Sequence, residues 1–149
     1  VEAHVQPGDR VLDLGCGSGI LSIAALRLGA ESAFACDIDE KCVDVAYENA
    51  ALNGIGKDRY TVRWGDVLTD AALRREMGAG YDIVVANIVA DVIMGLSPHV
   101  RPFLKPGGLF LCSGIIDERA AEVLEKLKAD GWDVFEQRSS EGWFSYLCK

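Results

Sequence analysis

The residues whose types and spacing carry chemistry are a glycine run, three carboxylates and one amide. Asp13-Leu14-Gly15-Cys16-Gly17-Ser18-Gly19 alternates its glycines behind an acidic residue, and Asp37, Asp66 and Asn87 each close or follow a short apolar segment. Glycines at a turn permit φ > 0 and let backbone approach a ligand closely. Asp37 follows the loop at about the 20-residue separation at which an acidic side chain meets ribose hydroxyls. Ile38 is then placed to pack on a base. Asp66 and the Val67 backbone stand where an exocyclic amine of that base can be met.

The loop discriminates among nucleotide classes. A P-loop requires Gly-Lys-Ser/Thr at the helix start, and no lysine lies near. The dinucleotide fingerprint wants Gly or Ala at position 20, which is Ile20 here. A G-x-G-x-G run behind Asp13 suits a cationic ligand without phosphate. S-adenosylmethionine, with its sulfonium and amino-acid head, matches those groups better than a pyrophosphate does.

The elements that must position these residues follow from periodicity and punctuation. Val11 to Leu14 reads as a buried strand, and Ile20 to Leu28 as a helix ended by Gly29. Ser32 to Cys36 is a second strand; Asp39 is expected to cap a helix from Glu40 to Leu52. Tyr60 to Trp64 alternates as a strand, a short helix falls between Asp70 and Gly80, and Tyr81 to Ala86 is a central parallel strand. Val89 to Leu104 reads as a helix interrupted near Pro98. Lys105-Pro106-Gly107-Gly108 turns into a strand from Leu109 to Ser113, and Asp117 is expected to cap a helix ending at Asp130. The final strands, Trp132 to Arg138 and Trp143 to Cys148, lie too close for a parallel crossover and demand an antiparallel hairpin. The pattern predicts one α/β domain, a seven-stranded, mostly parallel sheet with helices on both faces.

Composition narrows the classes further. The chain has 149 residues, half of them hydrophobic, with a formal net charge of −8. An acidic domain binds nucleic acid poorly and meets a basic partner more easily. Five scattered cysteines without a C-x-x-C pair, and only two histidines, give no metal-ligand pattern. The expectation is therefore no metal and small buried thiols in a reducing compartment. No apolar run spans a bilayer and no signal-peptide pattern opens the chain, so a soluble, cytoplasmic location is expected. The chain opens mid-pattern at Val1, which is expected of the C-terminal part of a longer product. Trp64, Trp132 and Trp143 read as core and hairpin packing, and Arg74-Arg75 as a solvated helix face.

The run from Val11 through Ala25 resembles the class I methyltransferases, and more narrowly the bacterial methyltransferases of the large-subunit ribosomal protein "L eleven". Asp37-Ile38-Asp39, Glu48-Asn49-Ala50 with Asn53-Gly54, Ala86-Asn87-Ile88 and Ser113-Gly114-Ile115 extend the resemblance over nearly the whole chain. It implies a Rossmann-like S-adenosylmethionine-binding domain over residues 1–149. Its cofactor residues would be Asp13, Gly15, Cys16, Gly17, Gly19, Asp37, Ile38, Asp66, Val67 and Asn87. It further implies N-methylation of lysine or N-terminal amines on a basic ribosomal protein. Related amide and amine methyltransferases carry Asn-Pro-Pro-aromatic where this chain has Asn87-Ile88-Val89, which argues against glutamine- and adenine-modifying groups. Asn87 is expected to be the catalytic residue, orienting a neutral amine through its side-chain oxygen. Family members also carry an N-terminal recognition domain and a Gly-Thr-Gly-x-His-Pro-Thr-Thr segment, neither present here; Val1 to Val5 looks like the end of the helix that follows that segment. An RNA or small-molecule methyltransferase, and a cofactor-binding module without catalysis, are the competing readings.

Overall fold

The computed structural model describes residues 4–149. The helix end expected over Val1 to Val5 falls largely outside that range. Seven strands, β1 (Arg10–Leu14), β2 (Ser32–Asp37), β3 (Tyr60–Trp64), β4 (Tyr81–Asn87), β5 (Leu104–Ile116), β6 (Val134–Ser140) and β7 (Trp143–Cys148), form one sheet in the order β3-β2-β1-β4-β5-β7-β6. The first five are mutually parallel, and β7 runs antiparallel between β5 and β6. Successive connections leave β1 toward β3 in one direction and from β4 toward β5 in the other. The reversal lies between β1 and β4, where open α/β sheets bind ligands outside the strands' carboxyl ends.

Strand alternation divides the core in two. Val11, Ala33, Ala35, Ile83 and Val85 face α1 (Ile20–Arg27) and α2 (Lys41–Leu52). Leu12, Leu14, Phe34, Val84 and Ala86 face α3 (Ala71–Met77), α4 (Ala90–Leu96) and α5 (Ala120–Ala129). Both faces are covered because every central strand is apolar on both sides.

Local chemistry adjusts several expected boundaries. After Leu96 the chain winds through 3-10 turns at Ser97–His99 and Arg101–Phe103, since Pro98 and Pro102 lack the N–H that a continuous helix needs. The Lys105-Pro106-Gly107-Gly108 segment belongs to β5 as an irregularity, and pairing jumps from Tyr81↔Leu104 to Ile83↔Leu109. Asp117 does not cap α5: it opens a 3-10 turn, Asp117–Arg119, whose start has no side-chain cap. Asp39 does act at the head of α2, accepting the Lys41 N–H on Oδ1 at 3.0 Å. The hairpin closes through two residues, Glu141 at φ 51° and Gly142 at φ 83°, between the paired Ser140 and Trp143. Positive φ at both positions matches the twist of the flanking strands.

Candidate active site

The glycine loop leaves β1 with Gly15, Gly17 and Gly19 all at positive φ. The amides of Gly15 and Cys16 both donate to the Cys36 carbonyl, at 2.9 and 3.0 Å. Gly17 donates to Asp37 Oδ2 at 2.9 Å, and Asp39 N–H donates to Oδ1 at 2.9 Å. Gly15 lies against the segment after β4: a Cβ there would stand 2.5 Å from Ile88 Cγ2. Any side chain at position 15 would clash with Ile88 at the seam between β1 and β4.

Above that seam is a crevice of about 330 Å³, with Gly15, Asp37, Ile38, Asp66, Val67 and Ile88 among its walls. Four strand ends thus converge on one space, a volume within the range of small-ligand sites. Leu68 donates to Asp66 Oδ1 at 2.9 Å, and Oδ2 accepts from none of the described residues. Ile38 is 73% exposed, although it is large and aliphatic.

Asn87 opens onto a second, adjacent hollow of about 590 Å³, shared with Ser113, Gly114, Arg138, Trp143 and Phe144. A β-bulge creates this space. Pairing of β5 with β7 runs Cys112↔Tyr146 and resumes at Ile115↔Phe144, so Ser113 and Gly114 together oppose Ser145. Gly114 takes φ 78°, and a Cβ on it would come within 2.6 Å of Asn87 Oδ1. The absent side chain leaves room for the amide. Bulges of this kind re-aim side chains beside functional sites.

Asp13 is placed differently from its neighbours in sequence. It is 1% exposed and lies beneath the glycine loop, accepting from Ser22 Oγ at 2.8 Å; Ser22 is in turn 2.7 Å from the Tyr60 hydroxyl. Burial raises the Asp13 carboxyl to about 6, against the lowering by its Ser22 bond. Desolvation pushes the Cys36 thiol up to about 12 and the Cys16 thiol higher still, so neither is a nucleophile near neutral pH.

The sequence profile described as "Ribosomal protein L11 methyltransferase (PrmA)" matches residues 1–149. The chain belongs to this family. A ribosomal protein L11 methyltransferase of Lachnoclostridium phytofermentans is 40% identical over 163 residues, covering 100% of this chain and 49% of the relative. The chain spans about half the length of the curated relatives it matches. The crystal structure of a ribosomal protein L11 methylase from Lactobacillus delbrueckii subsp. bulgaricus superposes with TM-score 0.87 at 32% identity, over 99% of this chain and 72% of that one. An RNA methyltransferase from Salinibacter ruber, solved with S-adenosyl-L-homocysteine, gives TM-score 0.73 at 22% identity over 96% of this chain and 81% of that one, a likeness of fold alone. The seven-stranded sheet with its antiparallel C-terminal strands is that of the class I methyltransferases.

Set in the PrmA family, the expected residues separate into three groups. Gly15, Asp37, Ile38, Asp66 and Val67 border one crevice. Cys16, Gly17 and Gly19 shape the loop, with Cys16 buried and Gly19 at the start of α1. Asp13 lies under the loop and Asn87 in the neighbouring hollow, so neither walls the crevice. Sequence reasoning missed the bulge glycine's contact with Asn87, and it placed all three tryptophans in packing. Trp132 is buried, but Trp64 and Trp143 are 59% and 54% exposed. Trp64 Nε1 donates to the Ile38 carbonyl at 3.1 Å, and Trp143 walls the second hollow. An aromatic at the end of a short strand, as Trp64 is in β3 and Trp143 in β7, carries no sign of which face it presents. Among the described residues, no helix is long and apolar enough to cross a membrane.

Proposed function

We propose that the chain holds S-adenosylmethionine in the crevice at the ends of β1, β2, β3 and β4, and methylates an amine presented from the second hollow. The observation that carries this reading is the adjacency of the two spaces on either side of the Asn87-Ile88 step. The residues fit the ligand. Each Asp37 oxygen accepts one backbone N–H and retains capacity for a ribose hydroxyl. Asp66 Oδ2 is available to an exocyclic amine, and the aliphatic walls suit an adenine ring. When bound, S-adenosylmethionine supplies an electrophilic methyl group on a sulfonium.

The chain's residues contribute alignment and desolvation. A lysine amine has a reference pKa of about 10.4 and needs its lone pair free. A mostly apolar hollow, desolvated once the acceptor fills it, disfavours the ammonium form. Asn87 Oδ1 accepts from the neutral amine and directs its lone pair toward the crevice. No carboxylate, histidine or tyrosine borders the hollow among the described residues, so the proton released after transfer passes to water. The acceptor proposed from the relatives' name is ribosomal protein L11, a basic partner for an acidic chain, in the cytoplasm.

Calorimetric titration with S-adenosylmethionine, S-adenosylhomocysteine and NAD tests the cofactor. Transfer of labelled methyl to isolated ribosomal protein L11 tests the acceptor. Binding of the adenosyl ligands but not NAD is expected, and binding of NAD alone would overturn the reading.

A further inference from the structure

We infer that Arg74 is the positioning residue for the base-binding wall of the crevice, an inference that rests on the cofactor reading above. The wall is the Val67-Leu68 segment between β3 and α3. It has space on both sides. In front is the crevice; behind it a third space of about 520 Å³, bordered by Arg74 itself, extends toward Pro98, His99 and Phe103. Leu14, Val67, Leu68 and Leu96 border both spaces. Val67 packs into the core, but Leu68 is 40% exposed, so packing alone supports only part of the segment.

Hydrogen bonds supply what packing does not. The Asp66 end is tied by Leu68, Thr69 and Asp70 amides, which donate to Asp66 Oδ1 or its carbonyl at 2.8–3.1 Å. The Val67 carbonyl is held by Arg74 Nη1 at 2.8 Å. Asp70 anchors that arginine's helix by accepting the Leu73 N–H at 3.0 Å. Arg74 is half-buried, unlike exposed Arg75, so the expected solvated face belongs to Arg75 alone. Arg74 thereby fixes the plane of the Val67-Leu68 peptide and the direction from which Val67 meets the base. A charged donor gives this bond more than the strength of a neutral pair.

The test is titration of the 149-residue chain with S-adenosylhomocysteine for wild type, Arg74→Met and Arg74→Lys. Met keeps the alkyl stem and removes the donors. The expected result is about a tenfold weaker Kd in Arg74→Met, a Tm within a few degrees of wild type, and recovery of most of the affinity in Arg74→Lys. Unchanged affinity in Arg74→Met beside a binding wild type would overturn the inference and leave the cofactor reading standing. A wild type that does not bind would overturn both. Should Arg74→Met fail to fold, Arg74→Ala, which also removes every side-chain donor, takes its place, and wild-type affinity there with unchanged Tm would count against the inference.

Discussion

The Asp37 carboxylate receives the Gly17 amide on Oδ2 and the Asp39 amide on Oδ1, each at 2.9 Å. One side chain therefore ties the glycine loop to the segment that starts α2. Asp37→Ala removes both bonds and the proposed ribose acceptor together. S-adenosylhomocysteine affinity is expected to fall at least about 100-fold, with stability lower by roughly 1–3 kcal/mol. Titration and urea unfolding of the same preparation check the two parts.

Gly15 and Ile88 meet at the seam between β1 and β4. Gly15→Ala places a methyl 2.5 Å from Ile88 Cγ2 on a residue at φ 75°. Overpacking and the left-handed backbone together are expected to cost about 3 kcal/mol. Combining it with Ile88→Ala relieves the clash but not the backbone strain. A double-mutant cycle by denaturant unfolding should show favourable coupling of about 1–2 kcal/mol.

Asp13 makes stability depend on pH with a definite sign. Its folded pKa is raised from 3.8 to about 6, so the folded protein binds the proton more tightly than the unfolded chain. The contribution is fully present below pH 3.8 and is lost as pH rises through 6. Its size is on the order of 3 kcal/mol. Asp13→Asn lacks this titration. The stability of wild type minus that of Asp13→Asn should fall by that amount between about pH 4 and 7.5, and a pH-independent difference would contradict the burial argument.

Asn87→Ala addresses the second hollow separately from the crevice. Methyl transfer to the acceptor is expected to drop roughly 100-fold, as orientation of the amine is lost. S-adenosylhomocysteine affinity should stay within about threefold, because Asn87 does not wall the crevice. Single-turnover assays with matched titrations distinguish the two effects.

The hairpin gives a prediction on stability alone. Glu141 holds φ 51° ahead of Gly142, a geometry that Asn adopts more readily. Glu141→Asn should stabilise the chain by about 0.5 kcal/mol, seen as a higher urea midpoint with an unchanged slope.

The sequence by itself determined the α/β class, the strand count and the antiparallel ending, since apolar runs, helical spacing and a four-residue gap leave few alternatives. It also determined that Gly15, Asp37, Ile38, Asp66 and Val67 share one crevice, because each sits at the carboxyl end of a strand and parallel strands bring those ends together. Tertiary structure alone decided the rest. Asp13 turns under the loop because strand alternation points it at α1, where Ser22 receives it. Asn87 faces a separate hollow because a two-against-one bulge at Ser113-Gly114, formed with β7 some 30 residues later, re-aims the ladder beside it. Arg74 supports Val67 because α3 folds back over the segment that precedes it, leaving a void behind the wall. Local pattern reports which face of its own element a residue occupies; what that face meets is set by partners distant in the chain.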